Sequence, residues 1–115
     1  MKNAISDLGA VKIHKEVIAA IASIAISETE GAIKLKSDLK SSLSEFLGKK
    51  DYPGISVIFD KFNHVKLEVR LNVKYGYHIP DVAAKAQENI RSSIEKMTDL
   101  DITDINVNIQ GIERG

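Results

Sequence analysis

Three histidines, His14, His64 and His78, are the side chains whose chemistry best suits proton transfer or metal ligation near neutral pH. They are scattered: His14 opens a helical stretch, His64 falls in a short loop between two strand-like runs, and His78 precedes Ile79-Pro80. A helix presents two imidazoles to one metal when they stand about four residues apart, and no such pair occurs. The histidines therefore read as partly exposed polar residues. The carboxylates offer two groups, Glu28 with Glu30, and Asp99, Asp101 and Asp104. The second group lacks the glycine and the terminal glutamate of a calcium loop, so both read as solvated residues at the ends of elements. No serine sits in a G-x-S-x-G elbow, and no G-x-G-x-x-G or Walker loop is present to cradle a phosphate. The chain has no cysteine, which excludes disulfides, thiolate catalysis and cysteine-based zinc sites. No metal, cofactor or catalytic residue is expected, and the pattern is that of a non-enzyme.

The elements that would position a site are clearer than the site itself. Val65, Leu67, Val69, Leu71 and Val73 alternate with Lys66, Glu68, Arg70, Asn72 and Lys74, and a later run sets Ile105, Val107 and Ile109 against Asn106, Asn108 and Gln110. Successive strand side chains point to opposite faces, so each run has one buried and one wet face. Between them Val82, Ala83, Ala86, Ile90, Ile94 and Met97 recur at helical spacing, after a Pro80 that suits a first turn. Arg91 and Glu95 stand four apart on that helix and can pair. Residues 55–60 predict a strand with Ile55, Val57 and Phe59 inward, and the short loop that follows makes its pairing with the long strand antiparallel. Residues 14–28 predict a helix with Val17, Ile18, Ile21, Ile24 and Ala25 on its apolar stripe, followed by Gly31 and a short extended piece. Residues 9–13 predict a short strand, with Val11 and Ile13 facing one way. Residues 37–47 predict a second, short helix carrying Leu39, Leu43, Phe46 and Leu47.

The expected fold is α+β: a two-layer sandwich, with two main helices on one face of a mainly antiparallel sheet of three to four strands and a short extra helix in the middle. Residues 1–8 are expected as a flexible leader, 9–112 as a single domain and 113–115 as a tail. At 115 residues and 43% apolar content the chain can bury one ordinary core. Its longest apolar-rich run, residues 17–26, is interrupted by Ser23 and falls short of the roughly 20 residues a membrane span needs. The first ten residues lack an apolar core flanked by positive charge, so no signal peptide is expected there. The 16 basic and 16 acidic residues cancel, which disfavours a strongly cationic nucleic-acid binder and leaves little self-repulsion to oppose self-association.

One candidate surface survives: the wet sheet face formed by Lys66, Glu68, Arg70, Asn72, Asn106, Asn108 and Gln110. Its charges are mixed and it carries no aromatic side chain, unlike the stacking sheets of RNA-binding domains. Asn and Gln are poor strand formers, which points to a protein contact as the alternative to an ordinary solvated face. Tyr75, Tyr77 and His78 cluster at the turn before the last helix, as local packing or as a contact. Gly48-Lys49-Lys50-Asp51 is similar to the glycine-flanked clamp of a KH domain, but it lacks the second glycine and runs into Pro53-Gly54.

The stretch from Val73-Lys74-Tyr75-Gly76-Tyr77-His78-Ile79-Pro80-Asp81-Val82-Ala83, through Met97-Thr98-Asp99-Leu100, to Ile105-Asn106-Val107-Asn108-Ile109-Gln110-Gly111-Ile112 resembles the alkaline shock protein family, the Gls-type general or envelope stress response proteins of Gram-positive bacteria. Gly9-Ala10-Val11-Lys12-Ile13, the Ala22-Ser23-Ile24-Ala25 helix and Glu30-Gly31-Ala32 resemble the family's opening, whereas residues 37–52 are this chain's own. The resemblance implies a small cytoplasmic non-enzyme of cell-envelope homeostasis. It would act as an interaction or scaffold module, through a membrane-anchored partner at the inner face of the membrane or by forming a homo-oligomer with itself. It carries over no catalytic residues. A KH-like nucleic-acid module and an accessory subunit of a metabolic enzyme stand as alternatives.

Overall fold

A computed structural model describes residues 4–35, 52–61, 64–98 and 102–114. The chain runs α1 (Ala4–Ser27), β1 (Ala32–Lys34), β2 (Ile55–Phe59), β3 (Val65–Lys74), α2 (Ile79–Met97) and β4 (Ile102–Glu113). β3 is the axis of the sheet. β4 pairs with it in parallel over its whole length, so β1 and β2 share the opposite edge end to end, both antiparallel. The chain leaves that edge after β1 and returns at Gly54, whose carbonyl accepts the Arg70 N–H at 2.7 Å. A methyl group on Gly54 would fall 2.5 Å from the Arg70 carbonyl oxygen and 3.1 Å from Leu35, so the return is a close approach of two backbones that only glycine allows. The short helix expected at 37–47 lies outside the described residues.

The fold is thus the expected α+β sandwich, with α1 over β1 and β2, α2 over β4, and the two helices in contact. Two of the three strand pairings are antiparallel; the β3–β4 pair is parallel because α2, about 28 Å long, carries the chain back to the starting end of β3. Val65, Leu67, Val69, Leu71 and Val73 are completely buried, together with Ile18, Ala22, Ile90 and Ile94. Ile55, Val57, Phe59, Val107 and Ile109 pack around them half-buried.

Three expectations are corrected. Residues 9–13 belong to α1, not to a strand: the alternation of Val11, Lys12 and Ile13 is too short to outweigh a helix that propagates back from an alanine-rich segment. Within α1, Ile18, Ala19, Ile21, Ala22, Ala25 and Ile26 are buried, whereas Val17 and Ile24 are 44% and 58% exposed. The helix is apolar on nearly every side, so spacing alone cannot choose its inner face. Met97 is 69% exposed, because Thr98 ends α2 one turn after Ile94 by donating both its N–H and its hydroxyl to the Ile94 carbonyl.

Three glycines adopt the left-handed backbone that favours this residue: Gly54 (φ 81°) before β2, Gly31 (φ 86°) after α1 and Gly76 (φ 95°) after β3. A methyl group on Gly31 would lie 2.6 Å from the Tyr77 ring, whereas one on Gly76 would meet nothing within 4 Å. Gly76→Ala should therefore cost only the backbone strain, about 1–2 kcal/mol. Gly31→Ala should cost clearly more, and trimming the ring in Gly31→Ala/Tyr77→Ala should return part of it. Urea midpoints check this: equal losses for the two single variants would contradict the packing of Tyr77 on Gly31.

Candidate functional site

The face of the sheet away from the helices is open among the described residues. Strand alternation, which buries one set of β3 side chains, turns Lys66, Glu68 and Arg70 outward, where they are exposed. The β3–β4 register places Lys66 opposite Asp104, Glu68 opposite Asn106 and Arg70 opposite Asn108. On the other edge Ser56 stands opposite Glu68 and Ile58 opposite Lys66. Asn72 is less exposed because its amide donates to the Glu113 carboxylate at 2.8 Å; its strand partner is Gly111, since a register shift after Leu71 leaves Gln110 as the extra residue of a bulge. The residues singled out from the sequence thus lie on adjacent strands, Gln110 one step out of line. Sequence spacing missed Asp104, Ser56 and Ile58 on this face, because the strand order that brings them together is not local.

The outer margin of β4 is treated differently along its length. From α2, Arg91 donates to the Ile102 carbonyl at 2.9 Å, and Gln87 donates to the Ile105 carbonyl. These side chains satisfy outward backbone oxygens that a bare edge strand would leave to water. Arg91 also approaches Glu95 at 3.9 Å, so the expected i,i+4 pair is only a loose one.

An open cleft of about 410 Å³ lies where the end of α1 meets the start of α2, lined by Glu28, Glu30, Tyr77, His78, Asp81 and their neighbours. Two of its groups come from opposite halves of the chain: the Tyr77 hydroxyl donates to Glu30 at 3.0 Å. That bond, together with the negative charge of Glu30, holds the Tyr77 hydroxyl above its ordinary value of 10.0. Beneath it the buried Thr29 hydroxyl donates to the Ala25 carbonyl at 2.8 Å and accepts from Asn89 at 2.9 Å, so this polar layer is internally satisfied. His78 pairs with Asp81 at 3.1 Å and His64 with Asp60 at 3.3 Å, while His14 sits in α1. The histidines do not converge, and no group of three or more potential metal ligands occurs among the described residues. Asp99, Asp101 and the Lys49-Lys50 loop lie outside the described residues.

A family of proteins with a cell envelope-related function matches the chain over residues 3–114. The chain belongs to the alkaline shock protein 23 family. Curated relatives agree. YqhY of Bacillus subtilis, whose function is uncharacterised, is 39% identical over 107 residues, covering 92% of this chain and 78% of its own. YloU of the same organism is 24% identical, covering 90% and 88%, and Spy1535 of Streptococcus pyogenes is 25% identical, covering 91% and 80%; both are also uncharacterised. No solved structure matches the chain. The family match spans both features described above, the open sheet face and the Glu30–Tyr77 junction.

The junction makes a pH-dependent prediction. A folded-state value raised above that of the unfolded chain contributes stability that is present below the unfolded tyrosine value and lost as pH rises through the folded one. Glu30→Gln should move the Tyr77 titration down toward 10.0 and flatten the loss of stability on the alkaline side. Ultraviolet phenolate titration, with Tyr52→Phe and Tyr75→Phe to isolate Tyr77, checks it; an unmoved titration would contradict the pairing.

Proposed function

We propose that this chain is a non-enzymatic protein-interaction module of cell-envelope homeostasis that receives its partner on the open sheet face. The observation that supports this most is the division of β3: its inward residues complete the core, while its outward row faces a surface with no structural task assigned to it. That row alternates in sign, Lys66 and Arg70 against Glu68 and Asp104, and continues into amides, which suits recognition of a folded protein surface better than capture of a polyanion. The family's envelope-related description supports the cellular setting. No helix among the described residues is long and apolar enough to cross a membrane, so contact with the inner face of the membrane would run through a membrane-anchored partner. Self-assembly would let the same module act as a scaffold.

A tagged pull-down from soluble and detergent-solubilised membrane fractions, with and without nuclease, tests the reading. A membrane protein should be retained after nuclease, and Arg70→Glu/Asn108→Arg should release it at least about tenfold without lowering the unfolding midpoint, since rim charges alter binding more than folding. Retention of RNA-associated proteins only, lost on nuclease treatment, would replace this reading with the nucleic-acid one.

A further inference from the structure

Two opposite charges stand without partners at the middle of the open sheet face. At the ends of the β3 row the polar groups are offset by β4: Lys66 stands opposite Asp104, and Asn72 is held by Glu113 at 2.8 Å. Between them, Glu68 has Ser56 on one side and Asn106 on the other. Arg70 has Gly54, which carries no side chain, on one side and Asn108 on the other. Neither charge has an opposite charge abreast of it. Among the described residues no hydrogen bond or ion pair engages the side chains of Glu68, Arg70, Asn106 or Asn108. Two apolar side chains flank this row. Ile58, opposite Lys66, is 44% exposed, and Ile33, opposite Asn72, is half-buried. Alternation turns both to the open face, because their neighbours Ala32, Val57 and Phe59 pack on the core.

Whatever lies on this face must bring its own backbone hydrogen bonds. β3 is paired along both edges, so the middle of the sheet offers side chains only. An extended segment laid there would leave its N–H and C=O groups without partners, whereas a helix satisfies its own. Resting on the reading of the open face as an interaction surface, we infer that it is covered by an amphipathic helix of another protein, which sets an acidic side chain over Arg70 and a basic one over Glu68. The spacing fits. Glu68 and Arg70 are two residues apart on one strand, about 7 Å; an acid and a base four apart on a helix are separated by about 6 Å along its axis. Ile58 and Ile33 stand six β3 residues apart, about 20 Å, a span that about thirteen helical residues cover. The acid accepts from the Arg70 guanidinium and the Asn108 amide. The base donates to the Glu68 carboxylate and the Asn106 amide oxygen. Apolar residues along one edge of the helix cover Ile58 and Ile33. A segment of one sign would meet a like charge at Glu68 or at Arg70, so the row selects a partner of mixed sign in one order.

Photocrosslinking in a nuclease-treated, detergent-solubilised extract of the cells that make the protein tests this. The photoreactive residue p-benzoylphenylalanine replaces Ser56 on the open face, or Glu88 on the helix layer as a control, and the linked peptides are sequenced. Position 56 should link to a segment of another protein that carries an acid and a base three or four residues apart. The double variant Glu68→Arg/Arg70→Glu keeps the net charge and reverses the order; it should lower the yield at least about tenfold, with circular dichroism confirming the fold. Exchanging the acid and the base of the linked segment should restore the yield with that double variant. A link at position 56 that is indifferent to the reversal, or that joins a segment of one sign, would overturn the helix while leaving the open face as the interaction surface. Links at position 88 with none at position 56, or at position 56 only to this same chain, would remove the inferred helix and the proposed partner of the open face together.

Discussion

Everything in this molecule hangs on β3. It is paired along both edges, by β4 on one side and by β1 and β2 in succession on the other, and its five inward residues are completely buried under both helices. Because side chains alternate strictly along a strand, a slip of one residue would exchange the whole apolar set for Lys66, Glu68, Arg70 and Asn72. Burying three charges and an amide would cost far more than the fold's net stability. The alternation therefore fixes two things at once: which face builds the core and which row of polar groups is presented outward.

That dependence explains what could be read from the chain. The alternation of β3, the helical spacing of Val82, Ala86, Ile90 and Ile94, the antiparallel β2–β3 connection and the turn at Gly76 are local patterns, and each was legible. The core face of α1 was legible in part: Ile18, Ile21 and Ala25 are buried as the spacing predicts, but Val17 and Ile24, equally apolar, are exposed. Met97 matched the spacing, yet it is the last residue of α2, next to the Thr98 cap, and its side chain is exposed. The candidate surface was legible only in part. Its amides and charges follow from alternation, but Asp104 and Ile58 join it through strand order, and Gln110 leaves the line through a bulge that no spacing foretells. The Glu30–Tyr77 bond joins residues far apart in sequence. Its local traces were Gly31, which a helix end explains, and the tyrosines after β3, which local packing explains.

The two ends of the sandwich differ in their chemistry. Where α1 ends and α2 begins, Gly31 lets the Tyr77 ring sit against the backbone, and Glu30, Thr29 and Asn89 satisfy the polar groups around it. This junction ties the first helix to the turn that launches the second. On the sheet's far face Asn72 is held by Glu113, whereas Lys66, Glu68 and Arg70 and, on the edge strand β4, Asn106 and Asn108 are exposed. The fold satisfies its buried side-chain polar groups, with none unpaired among the described residues, and the proposed recognition surface is the exposed sheet face.

Native-state amide hydrogen exchange tests the central place of β3 most directly. The slowest amides should be those of β3, Val65–Lys74, exchanging only through global unfolding, while β1 and the first turns of α1 open through smaller, cheaper fluctuations. If β3 amides exchanged as readily as those of β1, or through an opening well below the global unfolding free energy, β3 could not be the strand on which the core and the open face both depend.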